Sequence, residues 1–344
     1  MSGGIDAVLS VAAAGSASIS ADGVFSAIPD SAVTHFDGLS KEIVLDKASW
    51  ITAIALEHAL EQAGIDRDGT DPCRTGMVFG SALAGQLGMI RFAEDVRAQS
   101  PRFVSPIHFP QTVGNYVSGA LARAYHVRGP NQTLACGAAS GLSAVIEGAR
   151  LLSADMADVV YAGGSDRLSD ALALGLDDGS RRFAEGACMF VLERADDAKA
   201  RGATIIATIT PPPSAEDEAT AATAARAEID AGAASTEEAI VSCATGRRPG
   251  GIDIAHWIGH CFAALGAAAI AAAIGAASGR EVPVWSEDDS GAVTTHRVEA
   301  LAPARAAAPT GDSNGNGNDG DGVSALILAD AADSPRAGLR LRFE

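Results

Sequence analysis

The chain has 344 residues, 47% of them apolar and only 5% aromatic, with 43 acidic against 25 basic side chains and a formal net charge of −18. That length calls for two packed halves or one large α/β unit, and the apolar content argues against disorder over most of it. The charge argues against nucleic acid or an anionic membrane surface as partner, because phosphate is met by clustered Lys and Arg.

Cys73, Cys136, Cys188, Cys243 and Cys261 show no C-x-x-C spacing and leave an odd one over, so neither a disulfide framework nor a zinc site is expected. No metal or cofactor is expected, and reduced thiols suit the cytoplasm. The opening MSGGIDAVLSVAAAGSAS lacks the basic n-region of a signal peptide.

In chain order, ASWITAIALEHALEQAGID has helical spacing and ends on Gly64 as a C-cap. RTGMVFGSAL reads as a short buried strand. In SPIHFPQTVGNYVSGALARAYHVRG, Pro106 and Pro110 impose an extended lead-in before a helix. NQTLAC then reads as a strand, GLSAVIEGARLLSAD as an amphipathic helix and DVVYAGGSD as a buried strand. Together they form a βαβ unit on a mostly parallel sheet. RFAEGACMFVLERADDAKARGATIIATIT adds a strand, a charged helix and another strand.

The stretch 211–239 opens on three prolines and continues acidic and Ala-rich, as a surface helix or linker. IVSCATG resumes a strand. The run 261–278 is short for a membrane span and reads as a buried helix, with PVW as one more edge strand. The Asn/Asp/Gly-rich segment 302–322 reads as a flexible loop, since it lacks the closing glutamate and flanking helices of a calcium loop. VSALILAD reads as a buried strand that returns to the sheet.

Five segments in this order, VFGSALAG, SPIHFPQTVGNYVSGALARAYHVRGPNQT, ADVVYAGGSD, FAEGACMFVLERADDAKARGA and IGHCFAALGAAA, resemble the thiolase-fold β-ketoacyl synthases. The resemblance implies an α/β chain with a five-layered αβαβα fold of two related halves, truncated in the C-terminal half. It divides the chain into an N-terminal half (1–210), the acidic linker (211–239) and a shortened C-terminal half (240–344).

An active ketosynthase holds a cysteine at a helix N-terminus, where backbone N–H groups and the helix dipole lower its pKa and form an oxyanion hole. Anchoring on Gly141-Leu142 and on Ala162-Gly163-Gly164 puts Ala138 in that slot. Cys136 falls two residues earlier, where it is expected on the strand as a buried small hydrophobe. The slots of the first histidine and the lysine hold Ala244 and Ala255, and His260 alone keeps the family's residue. Losing three of four groups that act as a unit leaves little rate. His260 is therefore expected to be structural, as is the nearby His256.

A ketosynthase body with an emptied nucleophile slot is similar to the chain length factors of type II polyketide synthases and to their relatives in polyene assembly. AASGLSA is similar to their Gln-Ala-Gly-Gly-Leu-Asp-Ala, with Ala138 in place of the glutamine, and Asp166 matches their Gly-Gly-x-Asp. The resemblance implies a heterodimer with an active ketosynthase, through residues 104–120 and 130–137. It also implies an acyl carrier protein that docks mainly on that partner, and an interface tunnel bounded by Phe109, Thr112, Val113 and Tyr116, with Asn115 holding backbone. Two rival readings stand beside it: an active acyltransferase or condensing enzyme using Cys136 with His260, and a purely structural stabilising partner.

Overall fold

Alternation of apolar side chains along four strands decides which helices lie on which face of the first sheet. A computed structural model describes residues 12–14, 18–19, 25–28, 45–98, 101–176 apart from 103, 105 and 107, 183–203, 205–209, 240–242, 251–253, 260–277, 281–287, 293–300, 324–329 and 337–342. The linker 211–239, the loop 302–322, Ala244, Ala255 and His256 lie outside the described residues.

The elements are β1 (Ala12–Ala14), β2 (Ser18–Ile19), β3 (Phe25–Ala27), α1 (Lys47–Ala63), β4 (Thr75–Gly80), α2 (Gln86–Ala98), α3 (Tyr116–Ala124), β5 (Asn131–Leu134), α4 (Ser140–Ser153), β6 (Val159–Asp166), α5 (Asp170–Leu176), β7 (Phe183–Ala184), β8 (Gly186–Glu193), α6 (Ala195–Ala200), β9 (Ala207–Ile209), β10 (Ile240–Ser242), β11 (Gly251–Asp253), α7 (Ala263–Ala277), β12 (Glu281–Glu287), β13 (Val293–Ala300), β14 (Ser324–Ala329) and β15 (Ala337–Arg342). Gly64 ends α1 in the left-handed conformation at φ 63°, as the sequence predicts.

The first sheet runs β5-β4-β6-β8-β1 and the second β11-β10-β12-β13-β9. Numbered by chain order within each sheet, both read third, second, fourth, fifth, first. In both, the first two pairings are parallel and the last two antiparallel. Two related halves are thus written in the topology. The second half keeps all five strands but shortens some: β10 and β11 have three residues each, against six and four in β4 and β5.

Met77, Phe79, Tyr161, Met189 and Val191 face α1 and α3, while Val78, Val160, Ala162, Phe190 and Leu192 face the opposite way, toward α4 and α7. This period of two is the pleat of a sheet buried on both faces. Helix α7 continues inward onto β12 and β13 of the second sheet. The described residues therefore stack as helix, sheet, helix pair, sheet.

Helix α4 is amphipathic, as its spacing predicts: Ser143, Glu147 and Arg150 form one half-exposed polar stripe and the rest of the helix before Ser153 is buried. Three expectations need correction. Strands β5 and β6 run parallel on either side of β4 and are joined by α4, as the βαβ reading predicts, but the sheet is mixed rather than mostly parallel. Residues 283–285 are no edge, because β12 is paired on both sides. Among the described residues, strand β14 pairs with β15 in a two-stranded sheet of its own, close to β1 and α7, and forms no ladder with either large sheet.

The two central helices meet through glycine. An ideal Cβ on Gly141 would lie 2.2 Å from the Ala263 carbonyl oxygen, and one on Gly266 would lie 2.9 Å from that of Ala138. Gly141→Val should therefore destabilise the fold by about 3 kcal/mol in chemical denaturation, because backbone must move to admit the side chain. Gly119→Ala, on α3 with open space around the new methyl, should instead be neutral or stabilise by about 0.5 kcal/mol.

A charged clamp closes the lower end of the first sheet. Arg74 reaches Asp158 (3.1 and 2.7 Å) and the Asp155 carbonyl (2.8 Å), and Arg194 reaches Asp158 and the Ala157 carbonyl (2.9 Å). The Arg74 guanidinium, more than Arg194, holds the Asp158 carboxyl down at about 2. Its stabilisation is fully present above the unfolded carboxylate value near 3.9 and is lost as pH falls toward about 2. Asp158→Asn should flatten this acid limb of a stability-versus-pH curve, by under about 1 kcal/mol because the pair is partly exposed.

Candidate functional site

Strand β5 ends at Leu134, and Cys136 to Ala139 turn the chain into α4 through a short 3-10 turn, Gly137–Ala139. Ser140 ties this turn down: its Oγ accepts from the Cys136 N–H (2.8 Å) and donates to the Gly137 carbonyl (2.6 Å). Gly137 takes φ 63°. Ala138 is buried at the entrance to α4.

Cys136 differs from its expectation. It lies beyond the end of the strand and is exposed, because β5 is an edge strand and the chain leaves the sheet before the cysteine. Among the described cysteines, Cys188 and Cys261 are buried; burial raises both thiols, Cys261 to about 12, which leaves neither a ready nucleophile.

The turn that opens α7 repeats this construction. Adding 125 to each residue number relates Cys136 to Cys261, Gly137 to Phe262, Ala138 to Ala263 and Gly141 to Gly266. Phe262, like Gly137, is left-handed, at φ 49°. In each turn the third residue's carbonyl meets the other helix's glycine. The sequence carries the repeat as C-x-A-A-x-G, in CGAASG and CFAALG, a signal the sequence analysis missed.

A bulky residue at positive φ is strained. Phe262 is held there by stacking on Phe183, with ring centroids 5.5 Å apart and planes 5° apart. His260 packs edge-on against both rings at 6.0 and 4.8 Å, is buried, and accepts through its backbone carbonyl from the Ala184 N–H (3.1 Å).

Asp166, at the end of β6, joins the parts. Its buried carboxylate accepts from Ser81 Oγ (2.6 Å) and from the backbone N–H groups of Ala82 (3.0 Å), Leu83 (2.9 Å) and Ala263 (2.8 Å). Burial pushes this carboxyl upward, and the four donors oppose that. Nearby, Glu185 accepts from Ile28 and Leu168 N–H (3.0 and 3.2 Å) and pairs with Lys47 (2.7 Å). The sequence marks Asp166 only as a motif match and gives no signal for Ser81, Glu185 or Lys47.

The proposed tunnel residues lie between α2 and α3. Val113 and Tyr116 line a cavity of about 40 Å³ with Leu83, Leu87, Gln111 and Arg167, which has room for a few waters but not an acyl chain. Phe109 is 57% exposed and packs edge-on against Phe92 at 5.7 Å. Thr112 donates its hydroxyl to the Phe109 carbonyl (2.7 Å), Asn115 is exposed ahead of α3, and burial raises the Tyr116 phenol. Helix α2 has no buried residue. Among the described residues no group of three His, Cys, Asp or Glu side chains could hold a metal, and no helix is long and apolar enough to cross a membrane.

A family model for the beta-ketoacyl synthase N-terminal domain matches residues 10–181, half of the chain. The chain belongs to the beta-ketoacyl synthase family. The 3-oxoacyl-[acyl-carrier-protein] synthase 2 of Coxiella burnetii is 28% identical over 175 residues, covering 44% of this chain and 42% of that protein. The actinorhodin polyketide putative beta-ketoacyl synthase 1 of Streptomyces coelicolor is 30% identical over 194 residues, covering 48% of this chain and 42% of the relative. The matched stretch thus spans less than half the length of these relatives.

Among solved structures, a type II polyketide synthase acyl carrier protein in complex with its ketosynthase bound to the hexaketide aligns with TM-score 0.67 and 18% identity, over 86% of this chain and 99% of that one. The ishigamide ketosynthase/chain length factor aligns with TM-score 0.65 and 20% identity, over 87% and 100%. At such identities these likenesses establish the thiolase-like ketosynthase fold.

Asp166→Asn keeps the shape of the side chain but sets an amide N–H₂ against backbone donors. It should cost about 3 kcal/mol in denaturant-induced unfolding, from lost charge-assisted bonds and unmet N–H groups.

Proposed function

We propose that this chain is a non-catalytic ketosynthase-like subunit, a chain length factor, that pairs with an active ketosynthase and helps set the length of a polyketide or polyene chain. The observation that carries the reading is Ala138. At the helix end where acyl transfer requires a thiol, this chain presents a buried methyl group. By the resemblance, the slots of the first histidine and the lysine hold Ala244 and Ala255, whose methyl groups neither donate nor accept a proton, and the place of His260 against Phe183 and Phe262 suits a packing role.

The partner supplies the cysteine, the histidines and the acyl chain. Its docking surface on this chain is the edge strand β5 with the turn after it, and the unburied layer of α2 and the segment leading to Tyr116. An open strand edge is a template for pairing, and exposed Met89, Phe109 and Val113 make that layer apolar. The cavity beside Val113 and Tyr116 is too small to hold an acyl chain, so both subunits build the tunnel wall. Two of the similar solved structures, one named as a ketosynthase/chain length factor and one a ketosynthase with its acyl carrier protein, support these partner classes. The exposure of Cys136 sustains one rival, an acyl enzyme using that thiol with His260.

Co-expression with an active ketosynthase of a type II polyketide synthase, followed by intact-mass analysis after an acylated carrier protein or a cysteine-directed ketosynthase inhibitor, separates the two. Label on the partner alone is the expected result. Acylation of this chain that disappears in Cys136→Ala would overturn the non-catalytic reading. In the active pair, Val113→Phe should shorten the main product by at least one extender unit; an unchanged product would assign this chain a purely stabilising part.

A further inference from the structure

The small cavity between α2 and α3 is lined by two unlike kinds of side chain. Leu83, Leu87, Val113 and Val117 make part of it apolar, while Gln111, Tyr116 and Arg167 bring N–H and O–H donors to the same space. The donors come from fixed elements. An ideal Cβ on Gly88 of α2 would lie 2.1 Å from the Gln111 carbonyl oxygen, so α2 presses backbone to backbone on the turn that carries Gln111. Arg167 directly follows the buried Asp166 at the end of β6. Burial, and then the charge of Asp46, raises the Tyr116 phenol, so that it stays protonated at neutral pH, and Gln111 hydrogen-bonds to it. Asp46 is itself held as the N-cap of α1, accepting from Ser49 N–H (2.9 Å) and Oγ (2.6 Å).

We propose that Gln111, Tyr116 and Arg167 form a seat for a neutral carbonyl at the far end of the acyl chain, so that the tunnel favours a ketone-bearing chain over a hydrocarbon polyene. The inference rests on the chain-length-factor reading above and adds which kind of chain its tunnel accepts.

Size and chemistry select that group. A cavity of about 40 Å³ admits the end of a chain and not its length. A methyl ketone divides as the lining does, its methyl group suited to the leucines and its oxygen to the donors. An all-carbon end would displace water from those donors without replacing the hydrogen bonds. An anionic end is disfavoured by Asp46 and Asp166, which also line the cavity. A site built to hydrogen-bond an oxygen rejects the analogue lacking it more strongly than an apolar pocket separates chains by one methylene.

The test pairs this chain with an active ketosynthase of a type II polyketide synthase and follows one round of extension of synthetic acyl carrier proteins of graded chain length. Each acyl group with a ketone on its penultimate carbon is compared with the saturated group of equal length. At the length that reaches the cavity, kcat/KM should favour the ketone by about tenfold; at shorter lengths the ratio should be close to one. Gln111→Leu and Tyr116→Phe should each reduce the preference at that length, and the double variant should abolish it while the ratio at shorter lengths stays put. Pair formation and melting temperature show that the variants are folded, and the wild-type ratio is decisive without them. A ratio near one at every length, a preference for the saturated chain, or a preference that survives the double variant would overturn the carbonyl seat and leave the heterodimer standing. Extension that proceeds equally well without this chain would overturn the chain-length-factor reading itself.

Discussion

The two halves are joined by a close approach of backbone to backbone. Where α4 crosses α7, each helix presses a carbonyl against the other's glycine, and any side chain at Gly141 or Gly266 would occupy space that already holds main-chain atoms. That approach sets the separation of the two central helices, and thereby of the two sheets they hold apart. It also brings the entrances of the two helices together, Ala138 against Gly266 and Ala263 against Gly141, and one of them is held by a buried carboxylate. Asp166 uses this: it hangs from the end of β6 in the first sheet and caps the first residue of α7 in the second half. Hydrogen bonds to Ala82 and Leu83 fix the chain leaving β4 to the same point. The candidate site is built on this junction.

Much of the first half is readable from sequence because its signals are local. A period-two run such as VVYAGG makes a strand wherever both faces are covered, and a left-handed glycine ends α1 whatever lies beyond it. Segment order carries the family, and the family carries the fold. What local signals do not supply is adjacency. Nothing in NQTLAC or DVVYAGGSD says that β4 will run between those strands, and nothing in PVW distinguishes an interior strand from an edge, because these depend on a sheet assembled from distant pieces.

The misplacement of Cys136 has the same origin. Counting residues from an anchor puts it two before the slot, and alternation along an ideal strand would then bury it. Strand β5 stops at Leu134 because it is an edge with one neighbour, so alternation ceases to govern the next residues. Asp166 was visible as a letter in a motif, but its role needs Ser81 and Ala263, one in each half. The repeat C-x-A-A-x-G could have been found by comparing the chain with itself. It escapes notice because alanine is common here and Phe262 replaces the glycine that its left-handed backbone favours.

The same contact separates what the fold requires from what chemistry requires. At position 138 the fold uses the carbonyl, which meets Gly266, and asks of the side chain only that it be small. Its counterpart Ala263 is used in the same way. Cysteine and alanine differ there by a single heavy atom, so the one can replace the other without disturbing the helix crossing. A change at Gly141, three residues on, would force the helices apart. The side chain at position 138 can therefore vary among small residues while the sheets and the β5 edge stay intact. The fold constrains the backbone at this turn tightly and the chemistry it carries hardly at all.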